Sequence, residues 1–89
     1  MRLYRLVIGR EAERNLRLLP QTIARRVVNR IQNLPAEPRP RGAIKLVGRQ
    51  QDYRIRVGRY RIVYAVDDSA REVRIHFVQH RKDAYRRNT

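Results

Sequence analysis

A two-residue loop, Gly58-Arg59, separates two runs of the chain in which apolar or aromatic residues alternate with other residues. Glycine as the first of two loop residues is typical of a type II′ turn, which joins antiparallel strands in a β-hairpin. Because so short a loop sets the register, four pairs follow from it: Val57 with Tyr60, Arg56 with Arg61, Ile55 with Ile62, and Tyr53 with Tyr64. The hairpin must therefore have one basic face and one apolar, aromatic face. Other elements of the chain must bury the apolar face.

The basic face of this hairpin carries Arg54, Arg56 and Arg61. Directly opposed like charges weaken a strand pair, so Arg56 opposite Arg61 works against the fold. Single exposed arginines are commonly solvated, with their stems covering apolar surface. Three arginines brought together by the register favour a second interpretation, a sheet face that binds phosphate.

Two helices are predicted before the hairpin. Leu3 to Ile8 is apolar and suits a first strand. Ala12, Leu16 and Leu19 then recur at helical spacing up to Pro20, which suits the start of the next helix. A second apolar stripe ends before Pro35, and it consists of Ile23, Val27, Ile31 and Leu34. The pattern indicates a helical hairpin.

The rest of the chain reads as a connector and a β-meander. Three prolines and a glycine exclude regular structure from residues 35–42, and residues 44–47 suit a short strand. A third meander strand follows residues 67–70. If its loop has four or six residues, Ile75 and Phe77 face the helices, whereas His76 and His80 join the basic face. Arg81 then faces the helices unless the strand ends or bulges near Gln79.

These elements predict an α+β fold. In it, the N-terminal strand and the helical hairpin pack on one face of a mainly antiparallel β-sheet. Neither half of the chain could bury its apolar face alone, and 89 residues are few for more than one core. We therefore expect a single domain over residues 1–89.

The net charge of the chain narrows the range of possible functions. The chain has 22 basic residues, nearly all arginine, against 8 acidic ones, for a net charge of +14. An arginine-favouring genome would explain the preference for arginine over lysine, but it would not explain the surplus. Such a charge calls for a polyanion or an acidic partner.

Other composition features exclude several classes of protein. The chain lacks cysteine, which excludes disulfides and thiolate zinc sites, and only His76 and His80 remain as good transition-metal ligands. We expect no metal and no cofactor. The N-terminus lacks the apolar run of a signal peptide, and no stretch approaches the about 18 apolar residues of a membrane span. The expected location is the cytoplasm, without membrane contact.

Two motifs carry a resemblance that covers nearly the whole chain. The first is Gly58-Arg-Tyr-Arg-Ile-Val-Tyr64 in the hairpin, and the second is the tail His80-Arg-Lys-Asp-Ala-Tyr85. Together they resemble the RelE/ParE toxin superfamily. The hairpin motif is shared by both branches of the superfamily, whereas the closing Arg-x-x-x-Tyr is similar to that of the RelE branch.

The resemblance implies the toxin of a type II toxin–antitoxin system, a ribosome-dependent endoribonuclease that cleaves mRNA in the ribosomal A site. In that family, the ribose 2′-hydroxyl attacks the scissile phosphate without a metal. The catalytic positions correspond to Arg54, Arg56, Arg61, Arg81 and Tyr85. The expected RNA-binding residues are Lys45, Arg49, His80 and Lys82. Many members have lysine where this chain has Arg54 or Arg56, so the general base stays open between Tyr85 and His80.

The expected partners are an acidic cognate antitoxin, the ribosome and mRNA, with the toxin held in a toxin–antitoxin hetero-oligomer. Two other functions stay open. A toxin of the ParE kind would inhibit DNA gyrase and would need no RNA-cutting residues. A small basic RNA-binding protein would need neither the antitoxin nor catalysis.

Overall fold

The structure, a computed structural model, describes residues 3–82. It contains strand β1 (Arg5–Ile8), helices α1 (Arg10–Leu18) and α2 (Gln21–Asn33), and strands β2 (Ile44–Lys45), β3 (Asp52–Val57), β4 (Tyr60–Asp67) and β5 (Glu72–His80). The strands form one sheet in the order β1-β5-β4-β3-β2. Among the strands of residues 3–82, β1 and β5 pair in parallel and the other neighbours are antiparallel. The predicted α+β fold is confirmed.

The two helices cover one face of the sheet. Acidic residues in the first turn of α1 favour its start, and Pro20 lies at the N-terminal cap of α2. The predicted stripe on α2 is buried at Val27, Ile31 and Leu34, and it packs against apolar residues of the three meander strands. In residues 3–82, neither helix is long and apolar enough to cross a membrane.

The β3–β4 hairpin has the predicted register. Val57 pairs with Tyr60, Arg56 with Arg61, Ile55 with Ile62, and Tyr53 with Tyr64. Gly58 has a φ of 60° and Arg59 has no positive φ, as a type II′ turn requires. Ile55, Ile62 and Tyr64 are buried under the helices, so the face that carries Arg54, Arg56 and Arg61 is the one opposite the helices. We call it the open face.

The β4–β5 pair departs from the prediction at a β-bulge. The turn keeps Val73 and Ile75 on the helix side, as predicted, because Tyr64 pairs with Ile75. The next pair is Val63 with Phe77, so β5 contains one extra residue, His76. Both His76 and Phe77 therefore lie on the open face, and the prediction that Phe77 faces the helices is wrong. From this point the parity of β5 is reversed, and Val78 takes the core position opposite Ile62.

The connector after α2 is held against the sheet by polar contacts. The buried Tyr64 donates its hydroxyl to the Pro38 carbonyl at 2.8 Å. Arg39 donates through Nε to the Tyr53 hydroxyl at 2.9 Å and through a terminal nitrogen to Asp68 at 2.7 Å. Hydrogen bonds from Arg39 and from the Tyr4 hydroxyl hold the pKa of Asp68 below its usual value. The connector therefore crosses the helix side and leaves the open face uncovered by these contacts.

Candidate nucleic-acid interface

The open face is ordered in rows that run across β3, β4 and β5. The row nearest the Gly58-Arg59 turn consists of Arg56, Arg61 and Gln79. The next row consists of Arg54, Val63 and Phe77. The third row begins with Asp52, continues through Ala65 and ends at Arg74. Cross-strand neighbours in one row have their side chains side by side, so the register places the three predicted arginines on adjacent positions.

The first row contains a polar atom without a partner. The side-chain Oε1 of Gln79 is buried and accepts no hydrogen bond from any residue in the range 3–82. Gln79 stands directly opposite Arg61 in the ladder. A buried acceptor of this kind usually has a partner in a folded protein. The row beside the turn therefore has a hydrogen-bonding capacity that the described residues do not use.

His80 does not lie where it was predicted. Because the bulge at His76 reverses the parity of β5, His80 pairs with Tyr60, a residue that packs against the core on the helix side. The two rings meet edge to face, with their centroids 5.0 Å apart. The Nδ1 atom of His80 accepts the backbone N–H of Lys82 at 3.1 Å. The prediction that His80 joins the basic face is wrong.

Arg81 lies just after the end of β5, next to the β3–β4 turn. The backbone N–H of Arg81 donates to the carbonyl of Arg59 at 2.7 Å, which ties the end of β5 to the β3–β4 turn. Strand β5 ends at His80, and Arg81 begins a short helical turn beside this tie. Arg81 and Lys82 are exposed. The predicted catalytic residue Tyr85 lies outside the described residues.

One basic residue near the turn was missed by the sequence reasoning. The guanidinium of Arg26, from α2, lies so close to Gly58 that a Cβ there would be 3.6 Å from one of its terminal nitrogens. The helical spacing of α2 predicts only which residues form its apolar stripe, and Arg26 is not one of them. Its approach to the hairpin turn depends on how the helix crosses the sheet, which no local pattern reports.

Two of the predicted RNA-binding residues stand apart from this cluster. Lys45 is exposed on the short edge strand β2 and pairs with Tyr53, which packs on the helix side. Arg49 forms an ion pair with Asp52 at 3.2 Å. Asp52 also contacts Nε2 of His76 at 3.3 Å, so its carboxylate is shared between two basic groups. The structure therefore places Arg54, Arg56 and Arg61 on one face and ties the backbone of Arg81 to the neighbouring turn. Lys45 and Arg49 lie at the margin of this region.

Charge is distributed unevenly along the sheet. Asp67 and Asp68 lie at the β4–β5 turn, and Glu72 begins β5, at the end opposite Gly58. Glu72 pairs with Arg5 at 2.7 Å and with Arg74 at 3.2 Å, and the bond from Arg5 lowers the pKa of its carboxyl. The acidic groups thus compensate arginines at the far end of the sheet. The end with the hairpin turn keeps a concentrated positive charge, which suits an anion.

A metal centre finds no support in the described part of the chain. Within residues 3–82, no three side chains of the types that hold metal ions come together in a group. What the open face offers instead is a row of guanidinium groups, which are planar donors suited to phosphate oxygens.

Comparison with known proteins shows what this chain is similar to. The sequence model for "ParE toxin of type II toxin-antitoxin system, parDE" matches residues 6–85. No curated protein matches the chain.

Several solved structures are similar over most of their length. The RelBE2 toxin–antitoxin complex of Mycobacterium tuberculosis contains a chain with 32% identity and a TM-score of 0.74, covering 88% of this chain and 98% of that one. The archaeal RelE–RelB complex of Pyrococcus horikoshii contains one with 32% identity and a TM-score of 0.79, covering 89% and 96%. A mutant of the Escherichia coli toxin RelE in the free state has 25% identity and a TM-score of 0.78, covering 93% and 88%.

Proposed function

The chain belongs to the ParE toxin family of type II toxin–antitoxin systems, within the RelE/ParE superfamily, and from this premise we propose that it is a RelE-type endoribonuclease that cleaves mRNA on the ribosome. The observation that carries the proposal is the open face, where Arg54, Arg56 and Arg61 occupy adjacent positions beside the anchored start of the tail at Arg81. A toxin that acts only by binding a protein has no need of such a set.

The chemistry proposed for this site is an in-line attack of the ribose 2′-oxygen on the adjacent phosphorus. The bond between phosphorus and the 5′-oxygen breaks, which leaves a 2′,3′-cyclic phosphate and a 5′-hydroxyl. Negative charge builds on the non-bridging oxygens, and preorganised guanidinium groups stabilise it. Arg56, Arg61 and Arg81 are the groups that we propose for this role.

The proton that leaves the 2′-hydroxyl needs an acceptor. Arginine stays protonated at any physiological pH, so Arg54 and Arg56 are poor general bases. His80, which was one of two candidates, contacts Tyr60 on the helix side of the sheet. We therefore propose Tyr85 as the residue that takes the proton or orients the base.

An acidic antitoxin is the proposed partner of this toxin. Several of the similar structures are complexes of a RelE toxin with its RelB antitoxin, and this chain has a net charge of +14. An amphipathic antitoxin segment would supply apolar anchors as well as charge. Its binding should therefore weaken with salt but persist, whereas a purely ionic contact would be lost in moderate salt.

The deciding experiment maps mRNA 5′ ends. Cells that express the protein should accumulate new 5′-hydroxyl ends within translated mRNA, and purified protein should cut mRNA bound to ribosomes. The control is Arg61→Ala, in which the cuts should be lost. Intact mRNA in both settings would reject the nuclease.

A second candidate function is inhibition of DNA gyrase, because the matching family is described by its ParE toxins. This candidate predicts intact mRNA and loss of negative supercoiling in purified gyrase assays. Assays of mRNA cleavage and of gyrase supercoiling, made on one protein preparation, therefore distinguish the two functions.

A further inference from the structure

Exposed arginines from three separate segments of the chain lie around the β3–β4 turn. Arg56 is next to the end of β3, Arg59 lies in the turn itself, and the backbone N–H of Arg81 donates to the Arg59 carbonyl at 2.7 Å. The guanidinium of Arg26 approaches the same turn from α2, where its two terminal nitrogens would lie 3.6 and 3.7 Å from a Cβ added at Gly58. All four arginines are exposed. We call them the turn-end cluster.

Arg26 reaches the turn from the helix side of the sheet. The next residue in α2, Val27, is fully buried, as is Ile31 one turn later, and these two residues fix the rotation of the helix over the sheet. Arg56, by contrast, lies on the open face, where it pairs with Arg61. The turn-end cluster therefore carries positive charge around the edge of the sheet, from the open face to the helix layer.

The sequence supplies no acidic residue close along the chain to compensate this charge. Helix α2 has three arginines and no acidic residue, and residues 53–66, which include the turn, have none either. The arginines that form ion pairs within residues 3–82 belong to other parts of the molecule, and they are Arg5, Arg17, Arg39, Arg49 and Arg74. Charges of one sign that are held together in this way attract an anion.

The anion that fits this arrangement is the backbone of a single RNA strand. Guanidinium groups bind phosphate oxygens through pairs of N–H donors. An amphipathic protein segment would need apolar anchors as well, and the apolar hairpin residues beside the cluster, Val57 and Ile62, are buried. An RNA strand presents one phosphate per nucleotide, so consecutive phosphates can meet arginines on both sides of the edge of the sheet.

We propose that Arg26 binds the mRNA phosphate next to the one that is cut, so that the substrate strand passes over the β3–β4 turn from the open face to the helix layer. This inference rests on the proposed function, which assigns the scissile phosphate to Arg56, Arg61 and Arg81. The phosphate that Arg26 contacts does not react. Arg26 therefore binds the substrate and the transition state equally, and it is a residue of substrate binding rather than of catalysis.

The test is a thermodynamic cycle between Arg26 and single phosphates. Tetranucleotides with 2′-O-methyl riboses lack the attacking hydroxyl, so they bind without being cut. In a series of them, a neutral methylphosphonate replaces each phosphate in turn. One replacement should weaken binding to the wild-type protein about tenfold, and the same replacement should have little effect on binding to Arg26→Ala. Arg61→Ala should be coupled in this way to a different phosphate.

Arg25→Ala is the matched control, because Arg25 is an exposed arginine next to Arg26 in the same helix. The slope of log affinity against log salt should fall by about 0.7 in Arg26→Ala, the contribution of one phosphate contact in a single strand. It should stay at the wild-type value in Arg25→Ala, and Arg26→Lys, which keeps the charge, should restore it. On ribosome-bound mRNA, Arg26→Ala should raise KM about tenfold and leave kcat near the wild-type value.

Several outcomes would overturn this contact. Equal losses of affinity in Arg25→Ala and Arg26→Ala would indicate a general effect of charge. Coupling of Arg26 and Arg61 to the same phosphate would place Arg26 at the cleaved phosphate instead. An Arg26→Ala protein that binds the tetranucleotides normally but binds ribosomes without mRNA weakly would assign the contact to ribosomal RNA. Normal binding of RNA with loss of the antitoxin encoded beside its gene would assign it to a protein. If Arg26→Ala fails to fold, Arg26→Gln takes its place in the cycle.

The binding cycle is independent of cleavage. Coupling between Arg26 and a phosphate, in a protein that leaves ribosome-bound mRNA intact, would reject the proposed nuclease and keep the contact with RNA. Cleavage of mRNA without any coupling would reject the contact alone.

Discussion

The side-chain Oδ1 of Asn15 accepts the backbone N–H of Val78 at 2.9 Å. Strand β1 pairs with β5 only as far as Ile75, and the chain then turns into α1. Asn15, on that helix, supplies an acceptor to the part of β5 that β1 no longer covers. This contact satisfies the backbone immediately after the bulge, and it therefore supports the strand segment that carries Phe77 and Gln79.

Replacing Asn15 should destabilise the protein through this one bond. Asn15→Ala leaves the Val78 N–H without its acceptor, at a cost of about 1–3 kcal/mol in the free energy of unfolding. Urea denaturation followed by circular dichroism measures the change. Asn29→Ala is the matched control, because Asn29 is exposed on α2 and its loss should have little effect. Equal stability of the two variants would show that the bond contributes nothing.

Tyr64 should make stability depend on pH in alkaline solution. Burial raises the pKa of its hydroxyl to about 12, against about 10 for an exposed tyrosine. The unfolded chain therefore loses this proton at lower pH than the folded one, and stability should fall as pH rises from about 10 towards 12. Denaturant midpoints across this range measure the slope. Tyr64→Phe should flatten the slope and lower stability at neutral pH by about 1 kcal/mol, since the Pro38 carbonyl loses its donor.

Substitution of two arginines should lower the rate of cleavage without a comparable loss of stability. Arg61→Ala and Arg81→Ala should each reduce the rate of mRNA cleavage on ribosomes by about 10²-fold or more, which is typical for loss of one donor to a developing charge. Melting temperatures should barely change for Arg81→Ala, because that residue is exposed. Arg25→Ala, an exposed arginine on α2, is the charge-matched control and should cleave normally. Equal losses in all three variants would indicate a general effect of charge.

The proton acceptor should be distinguishable by three substitutions. Tyr85→Phe removes only a hydroxyl, and it should slow cleavage while ribosome binding persists. A complete loss in Tyr85→Ala without any loss in Tyr85→Phe would leave stacking as the role of this residue. His80→Gln should have a small effect, because His80 contacts Tyr60 on the helix side. A large effect of His80→Gln with none from Tyr85→Phe would assign the base to His80.

The nucleophile has its own test. An mRNA with deoxyribose at the attacked nucleotide lacks the 2′-hydroxyl and should not be cut by the wild-type protein. Cleavage at that nucleotide would require a different attacking group and would overturn the proposed reaction.

Local patterns predicted the parts of the fold that are set locally. The register of β3 against β4 follows from a two-residue turn, and the buried stripe of α2 follows from helical spacing. The bulge at His76 was not predictable in this way, because its support comes from Asn15, more than sixty residues earlier in the chain. The errors for Phe77 and His80 both follow from that single extra residue.

The residues of the candidate site likewise divide into those placed by a local pattern and those placed by tertiary packing. Arg54, Arg56 and Arg61 were predicted to share a face because parity within a hairpin is reliable. Arg26 was missed, since its position beside Gly58 depends on the packing of α2 over the sheet. Gly9 also packs closely against Ile75, and a Cβ added at Gly9 would lie 2.6 Å from the Ile75 carbonyl oxygen. No local sequence pattern predicts this contact.

The strand order has a consequence for the synthesis of this toxin. Strand β5 lies between β1 and β4, so β1 has no neighbour in the sheet until residues more than sixty positions later have been translated. Pairing between strands this distant in sequence is slow, because the loop must close before any contact forms. The strands that carry Arg54, Arg56 and Arg61 are thus translated before β5, which pairs with β4. The open face should therefore be complete only once β5 has paired with both of its neighbours.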